Sequence, residues 1–347
     1  MRSSRMTLYF IGIALLAASC TPQPAGPQVL TVMTHDSFAI SEEVVNYFET
    51  ENNVEVQFLE VGDTGTAVNK AALSKDNPLA DVFYGVDNTF LSRALEEGIF
   101  EAYQSPLLDD IDPIFQLDPT NQALPVDFGD VCLNYQKSYF EEHGLAPPES
   151  LDDLLLPEYK GLLTVQNPAT SSPGLAFLMT TIGYFGEDGY LEYWKQLVDN
   201  EVDIVNDWET AYYSEFSTHG GARPLVVSYA SSPPAEVIFA ETPSTTPPTA
   251  AITQANTCFR QIEFVALLKG ASNPILGKKW IDFMLSTPFQ EDLPMQMFVF
   301  PVNSDAKLPP EFTQYVTIPE QTAQVAPADI DQHREQWIKE WNETILR

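Results

Sequence analysis

The sequence is poor in positive charge. Lysine and arginine total 17 against 49 aspartates and glutamates, a formal net charge of -32. A field of that sign repels polyanions, so nucleic acid and anionic lipid are poor partners for the folded body, and a cation is the better ligand class. Histidine is scarce as well. His35, His143, His219 and His333 stand far apart, none in an H-E-x-x-H pattern or beside a cysteine at ligand spacing, which leaves no metal site to expect. The chain also lacks a G-x-S-x-G elbow, a G-x-G-x-x-G turn and a P-loop. Paired carboxylates are abundant but unspecific in so acidic a chain. These absences point away from enzymes and organic cofactors and toward a binding module.

Only three cysteines occur, and the first has a distinct setting. Arg2 and Arg5 precede an apolar run, and Ala17, Ala18 and Ser19 stand directly before Cys20. That layout is a signal peptide over residues 1–19, cut before a cysteine whose thiol takes a lipid. The alternative is an ordinary secretory signal with Cys20 unmodified. "TPQPAGPQ" then packs three prolines and a glycine into eight residues, so residues 20–28 read as a flexible tether. The expected product is an exported protein held to the outer face of a membrane by its lipid alone, since no later stretch is apolar enough to span a bilayer. Cys132 and Cys258 both fall in apolar, strand-like runs. An exported compartment permits a disulfide, while two buried thiols would suit the same runs.

Along the first hundred residues the pattern alternates. "VLTVMT" is β-branched; Ser41 followed by Glu42, Glu43, Val44, Val45 and Phe48 predicts a capped helix; Val54, Val56 and Phe58 alternate as a strand. A second helix, the apolar strand "ADVFYGVD" and a third helix ending near Gly98 follow. Strands alternating with helices imply an α/β fold with a parallel sheet, in which ligands sit beyond the carboxyl ends of the strands. Those ends carry His35-Asp36-Ser37, Asp63-Thr64-Gly65-Thr66 and Asp87-Asn88. Each aspartate could equally be a helix cap.

From about Asp127 the character shifts. "PVDFGDVCLNYQKSYF" reads as an extended segment entering a second lobe. Ser171, Ser172, Pro173 and Gly174 open a helix with outward-pointing backbone N–H groups, Trp208 sits at a strand-to-helix turn, and Tyr229 just past another apolar strand.

Segments in order along nearly the whole mature chain carry a resemblance: "LTVMTHDSFA", "ADVFYGVDN", "VDFGDVCLNYQK", "NPATSSPGLAFL", "DWETAY", "LVVSYASSP", "FPVN" and "QHREQWIKEWN". Together they resemble the thiamine-binding receptors of ABC importers. The resemblance implies a two-lobed periplasmic-binding-protein fold of type II, closing over one ligand, with two hinge-crossing strands. Lobe 1 would hold residues 29–128 and 259–300, and lobe 2 residues 129–258 and 301–347. Cys132 and Cys258 would then lie near the hinge, where a disulfide is geometrically reasonable.

Function follows as an expectation of the same kind: a monomeric, lipid-anchored receptor that captures thiamine or a thiamine phosphate and delivers it to an ABC permease and its ATPase. Positions matching the family's ligand contacts are His35, Asp36, Asp63, Thr64, Ser171, Ser172, Trp208, Tyr229 and Phe298. Some depart from the family pattern: His35 stands in place of a tyrosine, Phe298 of a tryptophan, and Ala235 of a stacking aromatic. Another organic cation, such as a polyamine or a pyrimidine derivative, is therefore the second reading. Ferric-ion relatives carry adjacent tyrosines where this chain has Tyr229-Ala230, which disfavours iron. A thiamine-degrading enzyme of this architecture would need an activated cysteine in the cleft, and neither Cys132 nor Cys258 has an adjacent base.

Overall fold

The computed structural model describes residues 28–240 and 244–346. The expected signal peptide, residues 1–19, and Cys20 lie outside these residues. Among them, eleven strands join one mixed sheet: β1 (Gln28–Thr34), β2 (Val54–Glu60), β3 (Val82–Asp87), β4 (Phe100–Glu101), β5 (Leu124–Gln136), β6 (Leu163–Gln166), β7 (Asp203–Val205), β8 (Leu225–Tyr229), β9 (Thr249–Ile252), β10 (Phe259–Leu268) and β11 (Phe300–Pro301). The main order is β2-β1-β3-β10-β5-β8-β6-β7. β1 pairs parallel with β2 and β3, and β6 pairs parallel with β7 and β8. These two parallel blocks are the cores of two α/β lobes.

The antiparallel pair β5–β10 joins them. β10 lies against β3 in the first lobe, while β5 lies against β8 and β9 in the second. At about 3.4 Å per residue in an antiparallel pair, the 13 residues of β5 extend roughly 44 Å, enough for one strand to serve both lobes. The crossing strands are tied twice. Arg260 on β10 grips Asp130 on β5 through Nε and Nη2 at 2.9 and 3.0 Å, and a disulfide joins Cys132 to Cys258, both fully buried.

Local chemistry accounts for the helices flanking the first block. Ser41 caps Glu42–Asn52 by accepting the N–H of Val44, and Asp63 caps Thr64–Leu73 by accepting that of Thr64. Two boundaries differ from those the sequence predicts. β1 starts at Gln28, which already pairs with Val54, so the first strand takes in the last residue expected of the tether. The extended segment stops at Gln136, because Lys137–His143 forms a helix that ends at Gly144 in the left-handed conformation (φ 61°).

The last helix, Pro327–Ile345, packs on the second lobe. Trp341 meets Trp194 edge to face at 5.2 Å, and Tyr190 donates to Glu340 at 3.0 Å. The same helix reaches the first lobe. Arg334, almost fully buried, donates from Nη1 to the Thr89 carbonyl at 2.7 Å and lies over the Phe90 ring, and Arg93 pairs with Glu335 at 3.0 Å. The two lobes are thus in direct contact. Among the described residues no helix is long and apolar enough to cross a membrane.

Candidate ligand-binding site

The site lies where the carboxyl ends of β1, β2 and β3 meet the second lobe. Asp63 follows β2 and caps its own helix, with Oδ1 2.6 Å from the N–H of Thr64. Its other oxygen accepts the N–H of Ser172, at the start of helix Ser172–Phe185 in the opposite lobe, at 2.9 Å. One carboxylate therefore sits at the N-termini of two helices, where partial positive charge favours an anion. Burial is the larger influence and lifts its pKa to about 6, against the two backbone N–H bonds and His35, which pull it down. Thr64 is buried and donates to the Gly85 carbonyl at 2.9 Å.

Asp87, at the end of β3, is fully buried. Oδ1 accepts from the N–H and hydroxyl of Thr89 at 2.8 and 2.6 Å. Oδ2 accepts from the hydroxyl of Ser172 at 2.9 Å and the amide of Gln261 at 2.7 Å. Gln261 also donates to the Ser172 hydroxyl and accepts from the Tyr229 hydroxyl at 3.0 Å. It is the hub where first lobe, hinge and second lobe meet. Beyond Tyr229 the chain of polar contacts continues. The Tyr229 N–H donates to Ser232, whose hydroxyl is 2.8 Å from that of Ser228, and Ser228 accepts the indole N–H of Trp208 at 3.0 Å.

A second acidic group sits on the hinge itself. Asp127 of β5 and Glu263 of β10 are cross-strand partners, and the Tyr84 hydroxyl contacts both, at 2.6 and 3.1 Å. Burial pushes Asp127 well above the usual carboxylate range, and the charge of Glu263 adds to that. Glu263 moves the other way: burial opposes its charge, but His35, whose Nε2 is 3.4 Å from Oε1, outweighs it. The His35 ring can lie this deep because residue 85 is glycine; a Cβ there would stand 2.2 Å from His35 Cδ2.

His35, Asp63, Thr64, Ser172 and Tyr229 thus come together around Asp87, Gln261 and Glu263. Ser171 serves as the cap of the second-lobe helix. Asp36 lies exposed beside the network, its N–H donating to the Gly62 carbonyl. Trp208 stands at its far end with one face covered by Tyr212, at 5.0 Å and 18°. Phe298 is apart from it. It adopts a left-handed backbone (φ 58°), meets Phe239 edge to face, and its carbonyl accepts the Ser231 hydroxyl. Asp127, Gln261 and Glu263 were missed in the sequence. Their signal is a polar residue interrupting an apolar strand, as Gln261 and Glu263 do in "FRQIEFVALL".

Beside Asp63 a cavity of about 260 Å³ opens between the lobes, bordered by Asn69, Phe90 and Arg93 on one side and Thr170, Ser171 and Glu335 on the other. A larger concavity of about 450 Å³ lies between helix Glu42–Asn52 and β2, lined by Phe38, Val45, Glu49 and Phe58, and does not reach the acidic network. The interlobe position and the chemistry both favour the smaller one as part of the site. Among the described residues no cluster of His, Cys, Asp and Glu has metal-binding geometry.

A family model described as bacterial extracellular solute-binding protein matches residues 77–319, more than half of the chain. The chain belongs to that family. It is a solute-binding protein and not an enzyme. Among its relatives, the thiamine-binding periplasmic protein of Escherichia coli (strain K12) is 28% identical over 332 residues, covering 94% of this chain and 97% of the relative. A solved structure described as a periplasmic thiamin binding protein is 27% identical, with a TM-score of 0.81, covering 92% of this solute-binding protein and 97% of that chain. The ferric binding protein from Campylobacter jejuni, at 17% identity and a TM-score of 0.75 over 91% of this chain and 99% of its own, shares the fold.

Proposed function

We propose that this solute-binding protein captures thiamine between its lobes and hands it to an ABC permease with its ATPase. The supporting observation is the interlobe network of Asp63 and Asp87, joined through Gln261 and Tyr229 to Trp208, with the acidic pair Asp127 and Glu263 beside it on the hinge. A site that presents carboxylates and aromatic faces suits a ligand that is both flat and cationic, because a desolvated cation on an aromatic face gains about 2 kcal/mol or more. The names of the relatives agree with that chemistry. On this reading lobe 1 comprises residues 29–128 and 259–300, lobe 2 residues 129–258 and 301–347, and His35, Asp36, Asp63, Thr64, Ser171, Ser172, Trp208, Tyr229 and Phe298 border the ligand. The protein works in the periplasm as a monomer, anchored by a lipid on Cys20.

Titration with thiamine, followed by tryptophan fluorescence, tests the reading. Saturation at low micromolar ligand or tighter is expected, with Trp208→Phe weakening binding about tenfold, which corresponds to about 1.4 kcal/mol. A folded protein with no saturable response would overturn it. Spermidine is the control for the second reading, another organic cation, which the carboxylates would suit as well.

A further inference from the structure

The four carboxylates of the network have one cationic partner in their midst. The His35 side chain is 9% exposed, its Nε2 faces Glu263 Oε1 at 3.4 Å, and that nitrogen makes no hydrogen bond. Arg260, the next cation along β10, is held by Asp130. Asp127 Oδ1, also fully buried, has no hydrogen-bond partner. The cluster is therefore incomplete in its polar contacts on both sides of the hinge.

We propose that His35 is a built-in counter-cation that holds the place of the ligand's positive charge: protonated in the empty protein, it neutralises Glu263, and it releases its proton to water when a cationic ligand enters. The inference rests on the reading of the ligand as a cation. No bond to carbon changes; one proton leaves Nε2 for solvent as one fixed positive charge arrives.

The surroundings of the ring carry the argument. Asp36 faces it from its own loop, Asp63 from the cap of helix Thr64–Leu73, and Glu263 from β10. The Tyr84 ring of β3 lies 5.6 Å away and links through its hydroxyl to Asp127 of β5. Asp87, also of β3, bears on both Asp63 and Tyr229. Every charged group here is an acid. Burial opposes an imidazolium, but Glu263 and then Asp63 and Asp36 outweigh it, so the ring holds its proton more tightly than a free histidine. A ligand cation among the same carboxylates repels that proton, and the two positive charges exclude each other.

The four histidines make the experiment direct. The full chain is labelled with ¹⁵N-histidine and His35 assigned by His35→Gln; spectra are recorded at pH 7 with and without saturating thiamine. The expected result is an imidazolium in the free protein and a neutral ring in the complex. Wild-type affinity should rise several-fold from pH 6 to pH 8, up to the tenfold per pH unit that release of one proton allows, and His35→Gln should flatten that rise. Thiamine bound with the His35 signal unchanged overturns the inference and leaves the function standing. No binding of thiamine overturns the function; spermidine then takes its place in the same spectra. If neither binds, a ring neutral at pH 7 in the free protein overturns the inference, and a charged one supports it.

Discussion

Asp63 in the first lobe accepts the backbone N–H of Ser172 in the second at 2.9 Å, while the same carboxylate caps its own helix through Thr64. Closure and helix capping share one side chain. Asp63→Ala removes both, and losing a cap alone costs about 0.5–2 kcal/mol. The expected outcome is a more open molecule, seen as a larger radius of gyration in small-angle scattering, and thiamine affinity at least tenfold weaker. A variant as closed and as tight as wild type would show that the contact is incidental.

Gln261 touches Asp87, Ser172 and Tyr229 from the floor of the hinge. Gln261→Leu keeps the volume and strips the polar atoms. It leaves Asp87 short of a donor and the Tyr229 hydroxyl short of an acceptor, which predicts a loss of about 2–6 kcal/mol in urea unfolding at one to three kcal/mol per abandoned buried group. Unchanged stability would mean that water fills the gap.

Gly129 lies under the Tyr229 ring: a Cβ there would stand 2.8 Å from Cδ1. Gly129→Ala should leave the fold intact by circular dichroism and push the ring out of register with Gln261. Weaker ligand binding and a lower melting temperature are expected, since the displaced ring gives up its bond to Gln261; equal affinity would place Tyr229 outside the ligand contacts.

Stability should depend on pH in a definite direction. The folded-state pKa of Asp63 is raised to about 6 and that of His35 is raised above its usual 6.5, so both contribute stability at acidic pH that is lost as pH rises through those values. Glu263 is lowered, so its contribution is lost only as pH falls through its depressed value, below 4.5. Asp63 loses its contribution from its ordinary value of 3.8 up to about 6 and His35 from 6.5 upward, so melting temperature should peak near pH 4 to 5 and decline toward pH 8. Calorimetry across that range checks the sign; a maximum at pH 8 would contradict it.

Parts of this architecture are legible in the sequence because their cause is local. Ser41 ahead of an apolar 3.6-residue pattern makes its own helix, and Ser171 ahead of Pro173 makes another. Asp36 and Asp63 show the limit. Both follow an apolar strand, yet one is exposed and the other bridges two lobes, a difference set by a helix more than a hundred residues away. Asp127 and Glu263 acquire their meaning only when β5 and β10 are laid side by side, which no periodicity announces.

The Cys132–Cys258 bond has a consequence for what damage would look like. It closes the backbone between these residues, with a sequence separation of 126, into a covalent ring that contains β6, β7, β8 and β9. A protease that cuts once anywhere inside the ring leaves no loose fragment: both new ends stay fastened at the hinge. Such a nicked molecule would migrate as a single species until a reductant parted it, so a single band without reductant is no proof of an intact chain.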